Sequence, residues 1–186
     1  MSSHIDYEIN KELGECYLFM GEYDKSESYY KKASAVAPEE SDPYLGLATI
    51  CVQRTELDQA AAYYTQAASL NPSDKSLAGL GLIAMEKGDH ESAMDLFIKA
   101  LGHNPVNMVA INGLVQEGHF LQRLDDVVPI LKTALEAQET EAFRYTLAGC
   151  LTALGRDAEA KVELETLLGA NPDNESAQEL YARLAA

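Results

Sequence analysis

The pattern of apolar and polar positions along the chain predicts helices from end to end. Near the N-terminus, Leu13, Cys16, Tyr17 and Met20 recur at the i, i+3, i+4, i+7 spacing of one helical face. The pattern breaks at Gly21, and a second apolar stripe begins after it. The same order of stripe, break and stripe recurs further along the chain. The pattern therefore predicts a series of helix pairs.

Prolines give the length of this recurring element. Pro38, Pro72, Pro105 and Pro172 follow similar short contexts and lie 34, 33 and 67 residues apart. The last interval equals two periods, so one punctuating proline is missing. Because proline cannot continue a helix, each one marks the end of a helix pair. The spacing predicts five repeats, numbered 1 to 5, and a tail: 7–40, 41–73, 74–107, 108–140, 141–174 and 175–186.

A short break separates the two helices of each repeat. Gly21, Thr55, Gly88 and Gly155 occupy this break in four repeats, and Gln122 stands there in repeat 4. An aspartate follows at or near the start of the second helix, where a carboxylate can cap free backbone amides. These aspartates are Asp24, Asp58, Asp89 and Asp125.

Repeat 4 departs most from the pattern. It has Glu139 where other repeats have proline, and Pro129 lies inside its second helix. A proline in the first helical turn costs little, whereas one turn deeper it kinks the helix. A helix that starts near Leu124 or Asp125 places Pro129 at the edge of the first turn. We expect this repeat to be the least regular.

Each repeat places small, bulky and punctuating residues at matching positions. Repeat 1 has Leu13, Gly14, Tyr17, Ser26, Tyr30, Ala33 and Pro38; repeat 2 has Leu47, Ala48, Ala60, Tyr64, Ala67 and Pro72; repeat 3 has Leu80, Gly81, Ala93, Phe97, Ala100 and Pro105. In these residues the chain resembles the tetratricopeptide repeat (TPR) family, whose 34-residue unit is a helix–turn–helix. The resemblance implies an all-α fold, a right-handed superhelical solenoid of antiparallel helix pairs over residues 1–174. The tail at 175–186 is predicted to be a capping helix, with a frayed terminus as the alternative.

Composition and charge narrow the function classes. Lys and Arg total 14 against 30 Asp and Glu, a formal net charge of −16. Nucleic-acid binding needs a surplus of cations, so we expect no nucleic-acid partner. No apolar stretch approaches the roughly 20 residues of a membrane span, and the first residues lack the basic and apolar regions of a signal peptide. We expect an acidic, soluble, cytoplasmic protein, whether the sequence is a whole gene product or an excised repeat array.

The sequence contains no motif typical of a catalytic, metal-binding or cofactor-binding site. Residues 79–84 fit the loose GxGxxA dinucleotide pattern but lie inside a predicted helix. The four histidines are far apart, and Cys16, Cys51 and Cys150 lack metal-binding spacing. We expect the cysteines to be buried free thiols. The sequence thus predicts no catalytic residue, no metal and no cofactor.

The resemblance also implies where a ligand would bind. In the TPR family the first helices of successive repeats line the concave face, and ligands lie across it. By position in the repeat, the concave-face residues of this chain are Lys11, Glu15, Leu18, Phe19, Leu45, Gly46, Thr49, Val52, Lys75, Ala78, Gly79, Leu82, Met85, Asn112, Gly113, Gln116, His119, Tyr145, Gly149 and Thr152. The apolar members suit an amphipathic segment, helical or extended. The negative field favours a basic partner.

Three of these residues, Gly46, Gly79 and Gly113, fall at one repeat position. A glycine inside a helix costs about 0.5–1 kcal/mol relative to alanine, so three in register have a physical reason. Two explanations stay open. Either a ligand approaches the backbone at these glycines, or they relieve crowding between helices.

Some family members hold a C-terminal carboxylate with a clamp of lysine, asparagine and arginine side chains. Lys11 and Lys75 match two of its five positions, but Glu15, Gly46 and Gly79 occupy the others. Since Glu15 would repel a carboxylate, such a clamp is not expected in this chain.

The sequence therefore predicts a non-enzymatic scaffold or adaptor that binds a protein or peptide partner in the concave groove. The alternative is a structural protein that self-assembles into a homo-oligomer through its convex face or the ends of its stack. An enzyme or small-molecule binder is a third hypothesis without a supporting motif. The acidic residues are spread over all repeats, so the groove identifies the partner better than the charge does.

Overall fold

A computed structural model of the chain describes residues 2–185, and over that range it contains eleven α-helices and no strand. The helices are α1 Ser2–Phe19, α2 Tyr23–Val36, α3 Asp42–Gln53, α4 Leu57–Leu70, α5 Asp74–Glu86, α6 His90–His103, α7 Met108–Phe120, α8 Leu124–Ala137, α9 Glu141–Ala153, α10 Asp157–Ala170 and α11 Glu175–Ala185. The all-α prediction is confirmed. The first helix begins at Ser2, before the predicted start of repeat 1.

The chain forms two compact units, residues 1–100 and 101–186, with the division inside α6. In the first unit, each of the helices α1 to α4 packs on the next one, and α1 also contacts α3. In the second unit, each of the helices α7 to α10 packs on the next one. Only three residues separate the two helices of each pair. Such short turns make the two helices antiparallel neighbours.

The turn inside each helix pair requires a left-handed backbone. Its middle residue has a positive φ in every pair: +75° at Gly21, +64° at Thr55, +77° at Gly88, +56° at Gln122 and +71° at Gly155. Glycine adopts this conformation freely, whereas a side chain costs about 1–2 kcal/mol. The predicted breaks therefore lie where the sequence places them. Repeats 2 and 4 keep the same turn geometry without glycine.

Replacing Thr55 with glycine is expected to raise the free energy of unfolding by about 0.5–1 kcal/mol. The gain from removing a β-branched side chain at positive φ exceeds the extra freedom that glycine gives the unfolded chain. Urea denaturation followed by circular dichroism measures the change. The matched control is Gly88→Ala, which has open space around the new Cβ but the same left-handed backbone. Gly88→Ala should be destabilising, and equal stability of both variants with the wild type would contradict the argument.

The aspartates near the second helices mostly do not act as caps, contrary to the prediction. The helices α2, α4 and α8, which contain Asp24, Asp58 and Asp125, have no side-chain cap. Asp89 does cap α6, because its carboxylate accepts the amide of Ser92 at 3.3 Å. Side-chain caps instead begin the first helices of repeats 3 to 5, at Ser73, Asn107 and Thr140.

Small residues allow the paired helices to approach closely. In repeat 1, an alanine Cβ at Gly14 would lie 2.8 Å from the Tyr30 ring, and the Ser26 hydroxyl donates to the Gly14 carbonyl at 2.7 Å. In repeat 3, a Cβ at Gly81 would lie 2.7 Å from the Phe97 ring. Bulky rings thus fill the space that small residues leave, as close packing requires.

Pro129 lies deeper in its helix than the sequence suggests. Helix α8 begins at Leu124, so Pro129 is its sixth residue rather than a first-turn residue. Pro129 has no N–H to donate to the carbonyl of Asp125, four residues earlier. The helix nevertheless continues to Ala137, and the hydroxyl of Thr133 donates to the Pro129 carbonyl at 3.2 Å.

The predicted capping segment forms a docked helix. Helix α11 buries Ala177 and Leu180 against a cluster that contains Leu164 and Leu167 of α10. Leu184 is half-buried beside the same cluster. The alternative of a frayed terminus therefore does not hold for residues 175–185. Residue 186, the last of the predicted capping segment, lies outside the described residues.

Candidate functional site

Thirteen residues of the predicted binding set lie in the first unit, on α1, α3 and α5. Three are exposed, Glu15, Phe19 and Lys75; seven are half-buried, Lys11, Leu18, Leu45, Thr49, Val52, Leu82 and Met85; and three are buried, Gly46, Ala78 and Gly79. The first helices therefore present a mixture of accessible and packed positions. The accessible ones are those that a ligand could contact without displacing the core.

Phe19 is the most exposed large apolar residue of this set. It ends α1 and leaves 94% of its surface in contact with solvent. Leu45, Thr49 and Val52 follow on α3 at the i, i+4, i+7 spacing of one helix face, and each is half-buried. Together with Leu82 on α5, these residues form what we call the first-helix strip.

The other seven residues of the predicted set lie in the second unit. Asn112, Gln116 and His119 are exposed on α7, Gly113 is buried on the same helix, and Tyr145, Gly149 and Thr152 are half-buried on α9. Asn112 and Gln116 are one helical turn apart and share a face. They provide amide groups that can donate to and accept from a peptide backbone.

The structure shows what occupies the space beside two of the glycines. A Cβ at Gly46 would overlap the ring of Tyr30, and a Cβ at Gly79 would overlap the ring of Tyr64. Each ring belongs to the second helix of the preceding repeat. Relief of crowding therefore accounts for Gly46 and Gly79, and the close approach of a ligand is not needed to explain them.

An apolar pocket of the first unit lies at one end of the first-helix strip. It has a volume of about 310 Å³. Its lining comes from the end of α3, the turn after it, the start of α4 and the last turns of α5: Val52, Thr55, Leu57, Leu82, Ile83 and Glu86. Only Val52 and Leu82 belong to the predicted set. The other lining residues were missed because they depend on how the turn and two helices meet in space.

Ion pairs connect consecutive repeats at their turns. In the first unit, Arg54 lies 2.5 Å from Asp24 and 2.6 Å from Glu27, and Lys87 lies 2.5 Å from Asp58. In the second unit, Arg156 lies 3.7 Å from Asp125. The aspartates predicted to be caps thus pair with a cation about thirty residues later. The carboxylates of Asp24, Asp58 and Asp125 are exposed, so the pairs that they make contribute little to stability.

Two of the carboxylates at these turns, Glu27 and Asp58, have a lowered pKa. Hydrogen bonds from Lys31 and then Arg54 lower the pKa of Glu27. A hydrogen bond from Lys87 lowers the pKa of Asp58. Both carboxylates are therefore ionised at neutral pH. Arg54 and Lys87, the cations of these two turns, are already paired with them.

The cysteines are partly as predicted. All three are free thiols; Cys51 and Cys150 are buried, but Cys16 is exposed on α1. Burial raises the pKa of Cys51, and it raises the pKa of Cys150 to about 11. The two buried thiols therefore stay protonated at neutral pH.

The part of the chain that the structure describes contains neither a metal-binding cluster nor a membrane-spanning helix. Between residues 2 and 185, no group of three histidine, cysteine or carboxylate side chains is arranged to hold a metal ion. Within the same range, no helix combines the length and the apolar character that crossing a bilayer demands. The GxGxxA segment lies inside α5, as predicted.

Comparison with known families agrees with the repeat period. Three models of the tetratricopeptide repeat match residues 7–73, 52–107 and 114–184. The chain belongs to the tetratricopeptide repeat family. The eleven helices of residues 2–185 are consistent with about five TPR repeats and a C-terminal helix.

Solved TPR structures have the same fold. The Pseudomonas aeruginosa protein PilF is 17% identical with a TM-score of 0.77, covering 100% of this chain and 85% of PilF. YrrB, a TPR protein with an unusual peptide-binding site, is 25% identical with a TM-score of 0.66, covering 83% of this chain and 81% of YrrB. MamA is 16% identical with a TM-score of 0.67, covering 96% of this chain and 94% of MamA. These neighbours confirm the TPR solenoid class.

One curated relative shares part of the TPR array. The BBSome complex member BBS4 of Bos taurus is 28% identical over 107 residues. The match covers 57% of this chain and 20% of BBS4, so it spans about a fifth of the length of that relative. TPR arrays of this kind serve as protein–protein interaction scaffolds.

Proposed function

We propose that this TPR protein is a non-enzymatic scaffold that binds a peptide or an extended partner segment along its first helices. The observation that carries the proposal is the first-helix strip, Phe19, Leu45, Thr49, Val52 and Leu82. Its members stay accessible on three consecutive first helices while the residues around them are packed. Exposed apolar surface of this kind is typical of interaction sites. YrrB, which this chain resembles, has a peptide-binding site of its own.

The electrostatics of the strip favour a partner with positive charge. Glu15 is exposed beside it, and Lys11 is paired with Glu8 at 2.8 Å. The whole chain carries a net charge of −16, which attracts a basic segment and speeds its approach. A lone carboxylate end is a poor ligand, because Glu15 lies where a clamp would need a donor.

Binding should be lost when charge is placed in the strip. A random peptide library displayed on phage and selected on the full chain provides the ligand, and the enriched peptide is then titrated in solution. Phe19→Glu and Leu45→Glu should each weaken its affinity at least about ten-fold, because each replaces an apolar side chain that the bound peptide would cover with a carboxylate. Phe19→Glu leaves the core untouched, so it decides the result if Leu45→Glu disturbs the fold.

The matched control is Val162→Glu. Val162 is an exposed apolar residue on α10, outside the strip, and the substitution makes the same change of charge. It should bind the peptide as the wild type does. Unchanged affinity of Phe19→Glu and Leu45→Glu in folded protein would rule out the strip as the binding surface.

Self-assembly is a second candidate function, and the exposed side of α1 favours it. Ile5 and Ile9 are 56% and 53% exposed, and Met20 lies on the same side, opposite the buried Tyr7 and Gly14. A second copy that covers this side would make a homo-oligomer. Light scattering at high concentration should then give a mass above that of the monomer, and Ile5→Glu with Ile9→Glu should return it to the monomer. A monomeric wild type removes this candidate.

A further inference from the structure

We propose that the 310 Å³ pocket at the end of the first-helix strip takes one apolar side chain of the bound segment, and that Glu86 pairs with a lysine or arginine next to it in the partner. This inference rests on the proposed function, because it specifies the chemistry of the segment that the strip binds. The pocket consists of Val52, Thr55, Leu57, Leu82, Ile83 and Glu86.

The size and lining of the pocket suit a large apolar side chain. A protein cavity of about 150 Å³ holds a benzene ring, and this open pocket has a volume of about 310 Å³. Leu57 and Val52 are half-buried walls, and Ile83 at its base is buried in a cluster with Cys51 and Ala60. Pockets of this kind receive the aromatic or aliphatic anchors that dominate binding energy.

The corresponding place between repeats 1 and 2 is filled by the chain itself. Tyr23 stands at the position of Leu57, and Gln53 stands at the position of Glu86. The Tyr23 hydroxyl donates to the Gln53 side-chain oxygen at 3.4 Å, and its ring packs on the core cluster that contains Ile50. Between repeats 2 and 3, Leu57 has neither the ring nor the hydroxyl that would make the equivalent bond to Glu86. The pocket thus exists because one aromatic ring is missing from an otherwise repeated contact.

The Glu86 carboxylate at the rim of the pocket also lacks a partner among residues 2–185, whereas Gln53 at the matching position accepts a hydrogen bond from Tyr23. Glu86 is exposed and makes no ion pair or hydrogen bond through its side chain to any residue between 2 and 185. The cations nearest in the repeat pattern are engaged elsewhere, Arg54 with Asp24 and Lys87 with Asp58. A cation beside the occupant of the pocket would complement the Glu86 carboxylate, so the geometry favours an apolar residue adjacent to a basic one.

The test uses the displayed random peptides and the full chain. Sequencing should show enrichment of leucine, methionine or an aromatic residue next to lysine or arginine. A synthetic enriched peptide is then titrated against Leu57→Tyr, which inserts the ring found at Tyr23, and against Glu86→Gln, which copies Gln53. Leu57→Tyr should weaken binding at least about ten-fold by filling the pocket. Glu86→Gln should weaken it about three- to five-fold, an effect that salt reduces.

Two controls separate pocket and charge from general damage. Leu57→Met keeps an apolar side chain of similar volume and should bind as the wild type does. A peptide with its basic residue changed to glutamine should bind wild type and Glu86→Gln equally. Circular dichroism confirms the fold of each variant, and Glu86→Gln decides the charge part even if Leu57→Tyr fails to fold.

The outcomes distinguish this inference from the proposed function. Normal binding by Leu57→Tyr and Glu86→Gln, with weak binding by Phe19→Glu, would overturn the pocket assignment and leave the strip standing. Weak binding by the pocket variants alone would support the pocket and place the binding surface outside Phe19. Enriched peptides without a basic residue would overturn the role of Glu86. No enrichment at all would contradict both proposals.

Discussion

Replacing Pro129 with alanine is expected to raise the free energy of unfolding of the second unit by about 2–3 kcal/mol. Pro129 is the sixth residue of α8 and is exposed, so its ring contributes little to the core. Alanine restores the N–H that the carbonyl of Asp125 lacks and removes the clash of the proline ring with the preceding turn. Urea denaturation followed by circular dichroism measures the change.

The chain offers a reciprocal control. Ala62 is the sixth residue of α4, is exposed, and occupies the position in repeat 2 that Pro129 occupies in repeat 4. Ala62→Pro should destabilise the first unit by about 3 kcal/mol. A neutral Pro129→Ala together with a destabilising Ala62→Pro would mean that α8 already compensates for its proline, contrary to our expectation.

Gly46→Ala is expected to destabilise the first unit by about 1–3 kcal/mol, although alanine is the better helix former. The new Cβ would overlap the ring of Tyr30. That ring cannot easily move away, because it also packs against Gly14 of α1. Overpacking of this kind outweighs the gain of about 1 kcal/mol that the substitution brings to an open helix. The change appears as a lower midpoint of urea unfolding.

Gly149→Ala is the matched control for this substitution. Gly149 lies inside α9, and no other side chain comes within 4 Å of the place where its Cβ would be. Alanine there should raise stability by about 0.5–1 kcal/mol through helix propensity alone. The two substitutions therefore should have opposite signs. A stabilising Gly46→Ala would show that the Tyr30 ring can move aside, and the crowding explanation would then fail.

The sequence predicts those features of the fold that repeat. The pairing of Gly14 with Tyr30 and of Gly81 with Phe97 follows a fixed spacing, and so do the left-handed turns at Gly21, Gly88 and Gly155. Because the same feature is predicted independently in several repeats, agreement between the repeats supports the prediction. Thr55 and Gln122 show that position in the repeat, rather than residue type, decides the turn.

Features that depend on differences between repeats were harder to predict. The pocket at Leu57 and Glu86 exists because repeat 1 has Tyr23 and Gln53 at the matching positions, and a repeat alignment averages such differences away. The contact between Tyr30 and Gly46 joins two repeats and becomes visible only when helices are placed in space. Asp24 and Asp58 look like caps by local position, but their partners lie about thirty residues further along the chain.

The contacts of Tyr30 with Gly46 and of Tyr64 with Gly79 determine how this chain can be cut and rejoined. A junction placed at Pro38 or Pro72, where one repeat ends, would separate a ring from the glycine that accommodates it. A chimera made there with a foreign TPR array would bring the ring against whatever residue the donor carries. A junction in the turn at Thr55 keeps each of these rings with its glycine, whereas junctions at Gly21 and Gly88 would separate Gly14 from Tyr30 and Gly81 from Phe97. The place where the first unit can be divided without opening such a contact therefore lies in the middle of repeat 2, out of phase with the repeat that the prolines mark.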